Sequence, residues 1–111
     1  MNQLIKCLEN IDWKEANHYG VYKKVIFSGE EFVSKITQIA YTELVKDNII
    51  SIHQHETMEE VFFILDGICE FTINNEKVLA EEKSTIRIPP NTEHSLHAIT
   101  DCQLFYFGVS I

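Results

Sequence analysis

Five histidines, His18, His53, His55, His94 and His97, carry the widest chemical range in this sequence, and four of them fall in two tight groups. Side chains in a strand repeat every two residues, so His53 and His55 project from one face with their rings close enough to share a metal ion. The same spacing fits two ordinary surface histidines, and alone it leaves both readings open. After His55, the residues Glu56-Thr57-Met58-Glu59 suit a hairpin turn, and Glu60 opens the apolar run Val61-Phe62-Phe63-Ile64-Leu65. That turn predicts a strand returning antiparallel to the histidine strand, with Glu60 facing His53 and His55 across the ladder. His97 stands three positions from His94, so strict alternation sends it to the opposite face as a surface or interface histidine. Glu59 should likewise point away from Glu60.

The elements that must hold these residues read as strands. Val21–Phe27, Lys35–Leu44, Val61–Leu65, Cys69–Ile73, Thr85–Ile88 and Gln103–Val109 are short and rich in β-branched or aromatic residues. Turn-forming residues separate them: Ser28-Gly29, Asp47-Asn48, Asp66-Gly67, Asn74-Asn75 and Pro89-Pro90-Asn91. These breaks leave no room for crossover helices, so the pattern predicts an all-β sandwich or barrel. Glu60, Phe62 and Ile64 should share the inner face, with Val61, Phe63 and Leu65 outside. The opening stretch is ambiguous, because Leu4, Leu8 and Ile11 suit a helical period over a segment too short to hold a helix alone. It is expected as a short helix or edge strand.

Composition sets further bounds. The chain has 111 residues, 45% of them hydrophobic, which is enough for one core and one domain over residues 1–111. A net charge of -8 would repel a phosphate backbone, so nucleic acid is not an expected partner. No run of about 18 apolar residues suggests a membrane span, and the first ten residues lack the apolar run of a signal peptide. A soluble, cytoplasmic protein is expected. Cys7, Cys69 and Cys102 are an odd number without metal-ligand spacing, which fits reduced thiols.

From His53 onward the sequence resembles the cupin superfamily. His53-Gln54-His55, four residues, Glu60, six residues and Gly67 reproduce the order and spacing of the first cupin motif, and Ile88-Pro89-Pro90-Asn91-Thr92-Glu93-His94 resembles the second. The resemblance runs from about Ile36 to Val109. It implies a double-stranded β-helix, the jelly-roll barrel of small RmlC-like cupins, here with a short N-terminal extension. It further implies one divalent transition metal inside the barrel, bound by His53, His55, Glu60 and His94. Asp47, Lys83-Ser84 and Asn91 stand where the family usually has glycine or Gly-Asp, all turn positions, and asparagine tolerates positive φ well. Ala98 replaces an asparagine frequent in the family.

Three imidazoles and a carboxylate suit Fe, Mn, Zn, Ni or Co, whereas the absence of thiolates argues against a structural zinc cage. Octahedral coordination would leave two positions for a chelating ligand. The resemblance therefore implies a metal-dependent enzyme for a small polar substrate, an isomerase, lyase or ring-opening enzyme for a sugar or sugar acid. An iron-dependent dioxygenase and a non-catalytic module that binds or senses a small molecule are the alternatives. Tyr41 and Glu43 share one face of the strand before His53, where cupins commonly place substrate-contacting groups, and are the expected catalytic residues if that face lines the cavity. Large apolar groups expected outside, including Phe63, Phe105 and Phe107, point to a homodimer.

Overall fold

Strands account for most of the chain in a computed structural model that describes residues 3–111. In chain order they are β1 (Lys14–Glu15), β2 (Tyr22–Ser28), β3 (Ile36–Leu44), β4 (Ile49–His53), β5 (Met58–Asp66), β6 (Cys69–Ile73), β7 (Glu76–Ala80), β8 (Thr85–Ile88), β9 (His94–Ala98) and β10 (Cys102–Ser110). They form two sheets, one ordered β1-β2-β3-β10-β5-β8 and the other β4-β9-β6-β7. Every pairing is antiparallel. This is the expected all-β jelly roll.

The core lies between the sheets. Leu44, Phe62, Ile64, Ile88 and Leu104 of the larger sheet meet Phe71 and Leu96 of the smaller one, all of them buried. Period-two burial is plain along β5, where Glu60, Phe62 and Ile64 are buried while Phe63 and Leu65 are exposed. The N-terminal extension is a 3-10 turn at Leu8–Asn10 followed by the two-residue β1, and it lies against the larger sheet's outer face through Trp13, whose ring is 6.0 Å from that of Tyr41. No helix among the described residues is long and apolar enough to cross a membrane. Cys69 and Cys102 are buried and Cys7 is exposed, all as free thiols, with burial pushing Cys69 up to about 12.

One strand, β7, was not read from the sequence, and the expected histidine strand, β4, ends at His53 and leaves His55 beyond it. β7 is exposed at four of its five positions and is an edge strand of Glu, Lys, Val, Leu and Ala, so it has neither alternation nor strong strand propensity. Its position is fixed instead by Asn74 and Asn75, both at positive φ (47° and 70°), which close a two-residue loop between Ile73 and Glu76.

The expected hairpin between His53 and Glu60 does not exist. β4 pairs with β9, whereas β5 pairs with β8 and β10, so the segment after His53 carries the chain from one sheet to the other. Asp47, Lys83 and Asn91 all adopt positive φ (70°, 69° and 58°), so these non-glycine residues take the left-handed conformation at their turns. Asn91 also donates its backbone N–H to His55 O at 2.7 Å, which ties the proline turn to the segment carrying His55.

Candidate metal centre

His53, His55, Glu60 and His94 each bring one possible ligand atom into a cluster whose atoms all lie within 4.8 Å of one another. Each comes from a different stretch of chain. His53 ends β4 and stands directly opposite His94, the first residue of β9, with ring centroids 4.2 Å apart. Glu60 projects inward from β5 in the other sheet, and His55 lies on the connection between them. The cluster spans the interior between the two sheets and does not lie along a single ladder.

Hydrogen bonding fixes which nitrogens face the centre. His53 Nδ1 lies 2.8 Å from Ser51 O, and His94 Nδ1 lies 2.8 Å from Thr92 O. A carbonyl only accepts, so each Nδ1 carries the proton and each Nε2 keeps its lone pair for an ion. Glu60 Oε1 is 3.1 Å from His55 Nε2 and 3.4 Å from His94 Nε2, yet Glu60 Oε1 and His94 Nε2 are both buried without a hydrogen bond. Unsatisfied buried polar atoms cost roughly 1–3 kcal/mol each, more for a charged group. A cation among them would satisfy both, and the donor set fits a divalent transition metal.

Electrostatics separates the histidines. Burial lowers the pKa of His53 against the pull of the Ser51 carbonyl, and the neighbouring imidazoles lower it further. At His94 burial also acts against the cation, but Glu60 and the Thr92 carbonyl together outweigh it and raise the pKa. Protons therefore compete with a metal more strongly at His94 than at His53.

His53, His55 and Glu60 form part of the wall of a cavity of about 360 Å³, with His94 fully buried behind them. His18, Lys23, Gln38, Thr42 and Tyr106 add polar groups to the lining, with Phe62, Leu96 and Leu104 among its apolar residues. The ring of His18 sits 4.7 Å from that of His53, and burial lowers its pKa despite the attraction of Glu60. Burial pushes Tyr106 up to about 12, with Glu60 adding to the effect. Sequence reasoning missed these residues. His18 and Lys23 precede the recognisable motifs, and only the position of β2 beside β3 brings Lys23 to the cavity.

Tyr41 and Glu43 are not in the cavity, which corrects the expectation that they face substrate. Thr42 lines the cavity, so its neighbours on β3 take the outer face. Tyr41 packs there between Trp13 and Phe105, whose rings are 6.0 and 5.1 Å away, and donates its hydroxyl proton to Glu43 Oε2 at 2.7 Å. His97 and Glu59 point away from the cluster as expected. His97 Nε2 lies 3.1 Å from Asp47 Oδ1, and Glu59 lies 3.5 Å from Arg87.

A family model described as a cupin domain matches residues 41–109, more than half of the chain, and the chain belongs to the cupin family. An uncharacterized protein of Methanocaldococcus jannaschii is 40% identical over 53 residues, a match covering 48% of this chain and 42% of that relative. The chain thus matches less than half the length of this curated relative. Among solved structures, a predicted oxalate decarboxylase from Thermotoga maritima superposes with a TM-score of 0.90 at 20% identity, covering 97% of this chain and all of the other. An RmlC-like cupin from Shewanella frigidimarina gives 0.82 at 13% identity over 99% and 93% of the two chains. KdgF from Halomonas sp. gives 0.78 at 16% identity over 95% and 94%. At these identities the likeness concerns the fold.

Proposed function

We propose that this chain is a metal-dependent cupin enzyme that isomerises, opens or cleaves a small polar substrate of the sugar or sugar-acid kind. The observation that carries the reading is the pair of buried, unpartnered acceptors, Glu60 Oε1 and His94 Nε2, clustered with His53 and His55, three of the four residues lining a small-molecule-sized cavity. The likeness in fold to the predicted oxalate decarboxylase is consistent with a polar, oxygen-rich substrate. When bound, a divalent metal would polarise a carbonyl and favour a ligand with two adjacent oxygens.

The chain's own groups divide the remaining work. Phe62, Leu96 and Leu104 keep bulk water from the inner wall, which strengthens every polar contact there. His18, with its pKa lowered, is neutral at pH 7 and presents an imidazole to the cavity, while Tyr106 keeps its phenolic proton and acts as a hydrogen-bond donor. His18 is therefore the candidate to accept a substrate proton.

Elemental analysis of protein purified without added metal is expected to find about one transition metal per chain, followed by turnover within a panel of sugars and sugar acids. Oxygen uptake with bound iron would favour the dioxygenase instead. Tight ligand binding without turnover would favour the binding module, and loss of all metal affinity would sink the reading.

A homodimer is proposed as the assembly. Phe63 and Leu65 remain 36% and 39% exposed on the outer face of β5, beside Phe105 in the β5–β10 register. Apolar side chains clustered on one sheet face favour a covered surface. Light scattering should give twice the mass of one chain at micromolar concentration, and a monomer mass would count against it.

A further inference from the structure

Lys23 is the cavity's only lysine or arginine, and the metal cluster does not account for it. It lies on β2 opposite Thr42 of β3, which lines the same cavity. Its ammonium is half-buried and donates to the neutral Oε1 of Gln38 at 3.2 Å. Among the described residues it forms no ion pair. Lys14 stands directly opposite Lys23 in the β1–β2 register, so two like charges face each other across one strand pair. Such pairs are unfavourable in an isolated ladder, and here they concentrate positive potential on a chain whose net charge is -8.

We propose that Lys23 receives an anionic group of the ligand, separate from the oxygens that meet the metal, so that the cavity selects small hydroxy acids carrying a second carboxylate. This rests on the metal-dependent reading above. The Lys23 ammonium is held by one neutral acceptor where an ammonium has three donors. Burial lowers its pKa, with Lys14 contributing and Glu60 opposing, which means that the charged form lacks compensation. A carboxylate beside it supplies that compensation and makes a charge-assisted hydrogen bond, the strong kind. Gln38, already oriented by Lys23, still has its amide donors for the same carboxylate. A ligand then meets the protein at two ends, its hydroxy-carboxylate end at the histidine and glutamate cluster and its distal anion at Lys23.

The test uses matched pairs with identical chelating ends. Malate is compared with 2-hydroxybutyrate, and 2-hydroxyglutarate with 2-hydroxyvalerate, by calorimetry on the metal-loaded chain. The second member of each pair has a methyl in place of the distal carboxylate. In the wild type at least one diacid is expected to bind about tenfold or more tightly than its partner, the scale of one charged hydrogen bond. Lys23→Met should bring both ratios within about twofold while leaving the monoacid affinities and metal content unchanged, and Lys23→Arg should keep most of the preference. Equal affinities within both wild-type pairs, or a preference that survives in Lys23→Met, overturns the assignment. Failure of all four acids to bind overturns it as well, whereas metal stoichiometry and the response of the monoacids to metal removal judge the underlying reading separately.

Discussion

Replacing His55 with alanine, or Glu60 with glutamine, is expected to weaken divalent transition-metal binding more than about 100-fold while leaving a folded barrel. Removing a group that merely orients a metal ligand costs about 10–100-fold, so removing a ligand itself should cost more. Neither side chain supports the apolar core. His55 lies on a connection and is partly exposed, and Glu60 Oε1 has no hydrogen bond to lose. The fold rests on burial of residues such as Phe71, Leu96 and Leu104, which the substitutions do not touch. Thermal melts with and without Co(II) separate the two effects. A metal present at about 1,000 times its dissociation constant adds about 4 kcal/mol to the wild type, and the variants should lose most of that increment. Unchanged affinity in both variants would remove the cluster from the account, and an unfolded His55→Ala chain would make the ion structural.

The second large effect concerns Gly67, where alanine should destabilise the fold by about 3 kcal/mol or more. Its φ is +90°, a conformation that side chains rarely adopt. An added Cβ would collide with the backbone carbonyl of Asp101 and come within 2.9 Å of the Cys102 Cα. That backbone has little freedom to withdraw, because Asp101 Oδ1 accepts from Lys46 N at 2.8 Å and Thr100 Oγ1 accepts from Ile68 N at 3.0 Å. For a chain of this size the melting temperature should fall by about 12 °C or more. Gly20→Ala is the control, since its φ is +73° but nothing lies within 4 Å of the new atom. It should cost about 1–2 kcal/mol, the conformational penalty alone. Equal losses at the two positions would show that close approach at Gly67 contributes nothing.

The ligands were legible in the sequence because residue type and spacing record them directly. His53, His55, Glu60 and His94 converge as the motif resemblance implied. How they converge was not legible, since strand pairing is non-local and sequence proximity wrongly suggested that Glu60 folds back on His53. Parity correctly put Tyr41 and Glu43 on one face of β3 but could not say which face is inside. Hydroxyl and carboxyl groups looked suited to the cavity, yet the aromatic cover of Trp13 and Phe105 holds Tyr41 outside, and small Thr42 turns inward. Lys23 and His18 carry no spacing signal at all. Turn positions were more transparent, as Asn74-Asn75 and Asn91 show, because few residue types accept positive φ.

The order of the larger sheet constrains the time course of folding. β3 and β5 do not pair with each other; each pairs with β10, which places Cys102 opposite Leu44 and Gly108 opposite Glu60. One half of the sheet is the β2–β3 ladder and the other the β5–β8 ladder, and residues 102–110 supply the backbone pairing that joins them. Contacts of such wide sequence separation form slowly, typically in milliseconds to seconds, because chain entropy is lost before they reward it. Glu60 sits within that ladder, opposite Gly108 on one side and Ile88 on the other, so the seat of the carboxylate depends on the same long-range pairing that closes the sheet.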